Sequence, residues 1–137
     1  MIQTSFLHIG VTCKNPKKFE DFYTNFFGFK RVKSIFINEN KELIFLKDNS
    51  NLSFEIFPMD EERPVPQPEG DGFCYPGWRH IAFIVDDVDA KLAEMGSSAV
   101  ITQGPIGLDK YTKGWKAVWI KDPEGNIIEI CQGYKEE

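Results

Sequence analysis

Cysteine is scarce in this chain. Cys13, Cys74 and Cys131 are an odd number, spread out and without a CxxC pair. That argues against a disulfide framework and fits free thiols in a reducing compartment. Positive charge is also in deficit, with 16 Lys and Arg against 21 Asp and Glu, a net charge of −5. No run of Lys and Arg offsets this, which argues against nucleic acid or an anionic membrane surface as the main partner, since both need a basic patch. Long apolar runs are missing too: nothing approaches the roughly 18 continuous residues of a membrane span. The opening MIQTSFLHIGVT has no basic region followed by an apolar stretch and a small-residue cleavage site, so no secretory signal is read there. The expectation is a soluble cytoplasmic protein.

What is present is enough for a core. The 137 residues fall within the usual size of one domain, and 42% hydrophobic with 14% aromatic residues supply the apolar surface to fold unaided.

The chain also repeats itself, and a repeat can decide the fold. FLHIGVT is followed by a short helical pattern and then IFLKDNSNLSFEIF; WRHIAFIV is followed by another and then VWIKDPEGNIIEIC. In each half a short run rich in β-branched and aromatic residues reads as strand. The first helix should open at Asn15 as N-cap with Pro16 at its first position. It carries Phe19, Phe22, Tyr23 and Phe26 on one face and stops at Gly28, which suits a left-handed C′ site. The second should open at Asp87, bury Val88, Leu92 and Met95, and end at Gly96. Strands are expected near 30–37, 42–47 and 51–57, and again near 98–102, 116–121 and 126–131. The fold class is therefore α+β, two tandem βαβββ modules at about 1–60 and 78–133. Between them lies PMDEERPVPQPEGDGFCYPGW, whose Pro and Gly content excludes regular helix or central strand. It reads as a linker over about 60–77, or a lid.

Strand alternation then places four residues. His8 shares a face with Gly10 and Thr12, opposite Ile9 and Val11; Glu55 shares a face with Ser53 and Phe57, opposite Phe54 and Ile56. His80 is opposed by Ile81 and Phe83, and Glu129 by Ile128 and Ile130. Each therefore lies opposite the face that the helices should cover. Taken singly, a strand His usually just makes a hydrogen bond, and a strand Glu usually just meets water. Recurrence is different: solvent-facing residues have no reason to repeat as His…Glu, His…Glu in register. A carboxylate between bulky apolar neighbours is costly to bury unless its charge is compensated. One divalent ion would compensate both, and two neutral imidazoles with two carboxylates suit Zn²⁺, Ni²⁺, Co²⁺, Mn²⁺ or Fe²⁺.

The segments LHIGVTCKNPKKFEDFYTNFFGFK, RHIAFIVDDVDAKLAEMG and KDPEGNIIEI resemble the vicinal oxygen chelate superfamily. It contains glyoxalase I, fosfomycin and bleomycin resistance proteins, methylmalonyl-CoA epimerase and extradiol dioxygenases. The resemblance covers nearly the whole chain, as a single glyoxalase-like domain over 1–137. It implies curved mixed sheets forming an incomplete barrel around a metal, with the helices outside. The His-Glu-His-Glu pattern is most like bacterial glyoxalase I, whose ligands would correspond to His8, Glu55, His80 and Glu129.

That likeness implies a lyase or isomerase of the lactoylglutathione lyase kind. It would move a proton next to a carbonyl through a metal-stabilised enediolate, with Ni²⁺ or Zn²⁺ the first choice of ion. Glu129 is the expected base, with Glu55 or a metal-bound water returning the proton. A small-molecule substrate and a homodimer are implied as partners. Phe57, Trp119 and Cys131 are candidates to line a pocket, or simply core. Where the bacterial enzymes commonly carry an Arg four residues after the first His and an Asn four after the first Glu, this chain has Thr12 and Met59, which weakens the case for glutathione. The alternatives are an epimerase of acyl thioesters, a metal-free binding or resistance protein, and an extradiol-type dioxygenase. Glu55 argues against the last, which uses two His and one carboxylate, and against the fosfomycin enzymes, which also lack the extra Glu.

Overall fold

The computed structural model describes residues 1–136. The chain divides into two compact units, residues 1–64 and 65–137, and each builds one open four-stranded mixed sheet. The first unit runs β1 (Ile9–Cys13), α1 (Pro16–Phe27), β2 (Lys30–Asn38), β3 (Lys41–Lys47) and β4 (Ser53–Pro58), with sheet order β1-β4-β3-β2. The second runs β5 (Ile81–Ile84), α2 (Val88–Met95), a 3₁₀ turn (Gly96–Ser98), β6 (Val100–Gly107), β7 (Lys116–Lys121) and β8 (Ile127–Gln132), in the equivalent order β5-β8-β7-β6. The two modules thus share one topology: the first and last strands pair in parallel at one side, two antiparallel pairs follow, and the helix leads from one edge strand to the other. Among the described residues no helix is long and apolar enough to cross a membrane.

Both helices form where the caps demand. Asn15 accepts a hydrogen bond from the Lys18 amide at 3.0 Å, Pro16 opens α1, and Gly28 closes it in the left-handed region at φ 73°. Asp87 caps α2 by accepting from the Ala90 amide at 2.9 Å. In the first unit the buried face of α1 joins the sheet through aromatic rings: Phe54 lies 5.3 Å from Phe19, 4.8 Å from Tyr23 and 5.1 Å from Phe29, centroid to centroid. In the second unit Val88 of α2 and Val118, Ile120, Ile128 and Ile130 of β7 and β8 are fully buried.

Two boundaries differ from the sequence expectation. Strand β6 does not end near residue 102 but continues to Gly107, through Gly104 and Pro105. The Gly-Pro pair reads as a turn, yet β6 is an edge strand, where a residue without an N–H costs no ladder bond. Register shifts on either side of Gln103 absorb the extra residues. After α2, Gly96 opens a 3₁₀ turn before the strand begins.

Residues 59–80 contain no helix or strand, and their ends are tied to different units. Lys41 pairs with Asp60 at 2.8 Å and Lys14 with Glu62 at 4.0 Å in the first. In the second, the Thr102 hydroxyl donates to the Gly70 carbonyl at 2.6 Å, and Pro68 and Gly72 are buried.

One buried carboxylate anchors the helix side of the first sheet. Glu20 is 6% exposed and accepts two hydrogen bonds from Arg31, at 2.6 and 2.7 Å. Arg31 holds its carboxyl below the ordinary 4.5, overcoming burial, which pushes the other way. A depressed folded-state value makes this contribution full at neutral pH and lost as the pH falls through that value. Arg31→Ala is expected to lower the unfolding free energy by about 2 kcal/mol at neutral pH. In urea titrations the gap from the parent chain should close as the pH drops below the carboxylate range.

Candidate metal centre

The burial of neighbours decides where the four candidate side chains point. Phe54 and Ile56 are fully buried on the α1 side of β4, so Glu55 between them must face the other way. Ile128 and Ile130 do the same for Glu129 in β8. His8 and His80 each stand one residue ahead of the parallel strand that pairs with the Glu strand, where Gly10 is opposite Glu55 and Ala82 opposite Glu129.

The result is one His/Glu pair in each unit. His8 Nε2 lies 3.3 Å from Glu55 Oε1, with side chains 27% and 20% exposed. His80 Nε2 lies 3.6 Å from Glu129 Oε1, at 23% and 14%. Among the described residues, no three or more His, Cys, Asp or Glu side chains gather into one metal-binding cluster; the four come together two by two.

Sequence reading missed two features that set these pairs. The first is backbone. His80 Nδ1 is 2.8 Å from the Asp71 carbonyl oxygen, and a carbonyl can only accept, so Nδ1 carries the proton. In the neutral ring Nε2 is then a bare lone pair, and it faces a carboxylate oxygen. Two acceptors face each other at that distance, an arrangement that calls for a proton or a cation near both. A ring whose far nitrogen is tied to a carbonyl, presenting Nε2 in a fixed tautomer, is how metal-ligating imidazoles are commonly oriented. Asp71 is itself held by Arg79. Gly72 lies so close to the Arg79 backbone that a Cβ there would collide with it, and its φ of 124° disfavours any other residue. No such carbonyl holds His8 among the described residues; its ring meets Phe45 edge-on at 6.3 Å.

The second is a repeated turn. Asp48 accepts from the amides of Ser50 and Leu52 at 2.9 and 2.8 Å. Asp122, 74 positions later, accepts from those of Glu124 and Asn126 at 2.8 and 3.0 Å. Each carboxylate closes the hairpin that leads into a Glu strand and so helps set its register. The signal was visible as KDNSN and KDPEGN.

The proposed lining residues divide. Phe57 is half-buried on the Glu55 face. Trp119 and Cys131 are buried in a cluster with Ala117 and Ile127, against which Leu108 and Trp115 pack. Trp119 stands directly opposite Glu129 on β7, and its indole N–H is buried without a hydrogen-bond partner. Burial pushes the Cys131 thiol up, and the Glu129 carboxylate adds to this, so it remains a thiol near neutral pH. None of Cys13, Cys74 and Cys131 forms a disulfide among the described residues.

The family model of the Glyoxalase/Bleomycin resistance protein/Dioxygenase superfamily matches residues 5–130. The chain belongs to that superfamily. The uncharacterized protein YaeR of Escherichia coli is 29% identical to this glyoxalase-superfamily chain over 128 residues, 91% of this chain and 93% of YaeR. Among solved structures, a glyoxalase family protein from Enterococcus faecalis shares 28% identity and superposes with a TM-score of 0.67, covering 96% of this chain and 99% of that one. The fosfomycin resistance protein FosX of Listeria monocytogenes, solved with Mn(II) and sulfate, superposes at 0.68 over 99% of this chain and 98% of its own. At 17% identity that likeness speaks to the fold alone.

The His80 tautomer is directly observable. Nitrogen-15 spectra of the metal-free protein, taken at alkaline pH, should show His80 with Nδ1 protonated and Nε2 bare. In Gly72→Ala the displaced Asp71 carbonyl should release the ring to a mixture of tautomers. A ring protonated at Nε2 in the parent protein would contradict the hydrogen-bond assignment.

Proposed function

We propose that this superfamily member is a metal-dependent lyase or isomerase of the glyoxalase I type, moving a proton on a carbon next to a carbonyl. The observation that carries the reading is the repeated His/Glu pair, above all His80, whose ring is held with its Nε2 lone pair toward the Glu129 carboxylate at 3.6 Å. His8, Glu55, His80 and Glu129 would hold one divalent ion. Their two negative charges balance it, and their nitrogen and oxygen donors suit Ni²⁺ or Zn²⁺ first, then Co²⁺, Mn²⁺ or Fe²⁺. Such an ion supplies Lewis-acid stabilisation of negative charge on adjacent substrate oxygens.

The protein's own part is proton handling. Glu129 takes the carbon-bound proton onto a carboxylate oxygen, and Glu55 delivers a proton to the opposite side of the same small molecule. The apolar cluster that includes Trp119 and Cys131 stands beside Glu129, and an apolar flank of this kind would favour a carboxylate as a base. Thr12 and Met59 stand where a glutathione-binding Arg and Asn are common in bacterial glyoxalase I, which weakens the case for glutathione; the runner-up is an epimerase of acyl thioesters, which moves a proton beside the same kind of carbonyl. The chemistry of the two is the same; the product differs.

A homodimer is part of the proposal. Phe6 and Leu7 before β1, and Val32 and Phe36 on β2 at the opposite edge of the sheet, are all more than half exposed, apolar side chains that a second copy would cover. Light scattering on the purified chain reads this directly, and a monomer at all concentrations would remove it.

Separate dialysis against each of the five ions, followed by elemental analysis, should find one ion per chain for the preferred metal and none in His80→Ala. In the loaded protein, Glu129→Gln should keep the ion and lower turnover of a hemithioacetal or an acyl thioester by at least about 100-fold. Normal turnover in Glu129→Gln would remove the base assignment. Ligand affinity unaffected by chelation would favour a metal-free binding protein, and oxygen uptake with catechols under Fe²⁺ would favour a dioxygenase.

A further inference from the structure

Register distributes the cations of the first unit unevenly between the two faces of its sheet. Lys30 pairs opposite Lys47, Lys33 opposite Phe45, and Phe45 opposite Glu55. Residues directly opposite share a face, and Lys47 and Phe45 are two apart on β3. Lys30, Lys33 and Lys47 therefore all belong to the Glu55 face. Arg31 alternates to the helix side, opposite buried Leu46, where it pairs with Glu20 and Glu42, and the register shift between Arg31 and Lys33 returns Lys33 to the face of Lys30.

The other lysines of this unit are matched except Lys18 of α1. Lys14, Lys17 and Lys41 pair with Glu62, Asp21 and Asp60. Lys30, Lys33 and Lys47 are exposed and have no acidic partner among the described residues. Glu55 is the sole carboxylate among the strand residues of their face. Like charges directly opposite on neighbouring strands are destabilising, so the Lys30–Lys47 juxtaposition does not serve the fold. It stands out further in a chain where acidic residues outnumber basic ones by 21 to 16. The second unit does not repeat it: Val100 faces Lys121 and Gln103 faces Trp119 at the equivalent places.

The placement beside the candidate centre is close. Lys33, Phe45, Glu55 and Gly10 form one row across four strands, so Lys33 begins about 10 Å from Glu55, within reach of one lysine side chain and a small molecule. Phe45, half-buried between them, offers an apolar surface for the carbon skeleton.

We infer that Lys30, Lys33 and Lys47 form a binding site for an oxyanion, a carboxylate or a phosphate or phosphonate group, carried by the substrate. The substrate is then an acid whose chelating oxygens lie toward His8 and Glu55 and whose anionic end lies over β2 and β3. As a statement about substrate this rests on the function proposed above; as an anion site it stands on the lysines alone.

Inorganic phosphate and malonate serve as probes, each titrated into the full chain and followed by backbone amide shifts at constant ionic strength. Saturable shifts are expected at Lys30, Lys33 and Lys47, and K30Q/K33Q should weaken them at least fivefold. Lys18→Gln, an exposed lysine of α1, should change nothing. Tighter phosphate identifies a phospho or phosphonate group, and tighter malonate a carboxylate. Unsaturable shifts, or equal affinity in K30Q/K33Q and the parent chain, would overturn the site. Metal content of K30Q/K33Q separates the two readings. An ion retained with anion binding lost supports both, an ion retained with anion binding unaffected removes only the anion site, and an anion site without any ion removes only the enzyme.

Discussion

Everything in this protein that bears on chemistry depends on strand alternation locked by burial. Phe54 is pinned beneath its sheet by Phe19, Tyr23 and Phe29, and Ile128 and Ile130 are fully buried beneath the other. A slip of one residue in either Glu strand would bury a carboxylate and expose large apolar side chains, a cost of several kcal/mol. Glu55 and Glu129 are therefore held opposite the helix-covered faces by hydrophobic burial, while the hairpins closed by Asp48 and Asp122 help fix the register along the strand.

The two halves keep this framework and diverge around it. In the second, a backbone carbonyl from the segment before β5 orients His80, and an apolar cluster lies beside Glu129. In the first, the imidazole leans on Phe45 and the surrounding face is cationic. The repeat supplies two equivalent His/Glu pairs in unlike surroundings. The superfamily's fold hosts many chemistries, so the function argued here rests on these particular side chains and not on the family name.

Much of this was legible in the sequence because it follows from local rules. Asn15, Pro16, Gly28 and Asp87 bound the helices where capping chemistry puts them, and parity alone set His8, Glu55, His80 and Glu129 opposite the buried residues. What escaped depended on contacts between distant residues or on irregular backbone. The Asp71 carbonyl has no side-chain signature, and a segment rich in Pro and Gly does not announce which turn will meet His80. The path of β6 through Gly104 and Pro105 required knowing that it is an edge strand. The lysine face required a register shift at Val32, which no alternation pattern reveals: without it, Lys30 and Lys33 fall on opposite faces.

The central claim is that both His/Glu pairs serve one ion. X-ray absorption spectroscopy of the protein loaded with a single equivalent of Ni²⁺ or Co²⁺ tests it most directly, since the outer-shell scattering of imidazole counts the histidines. The account predicts a first shell of nitrogen and oxygen only, with two imidazoles and two carboxylates. A single imidazole, or a sulfur neighbour at thiolate distance, would mean that the pairs act separately or that a cysteine has displaced one of them, and the account would be wrong.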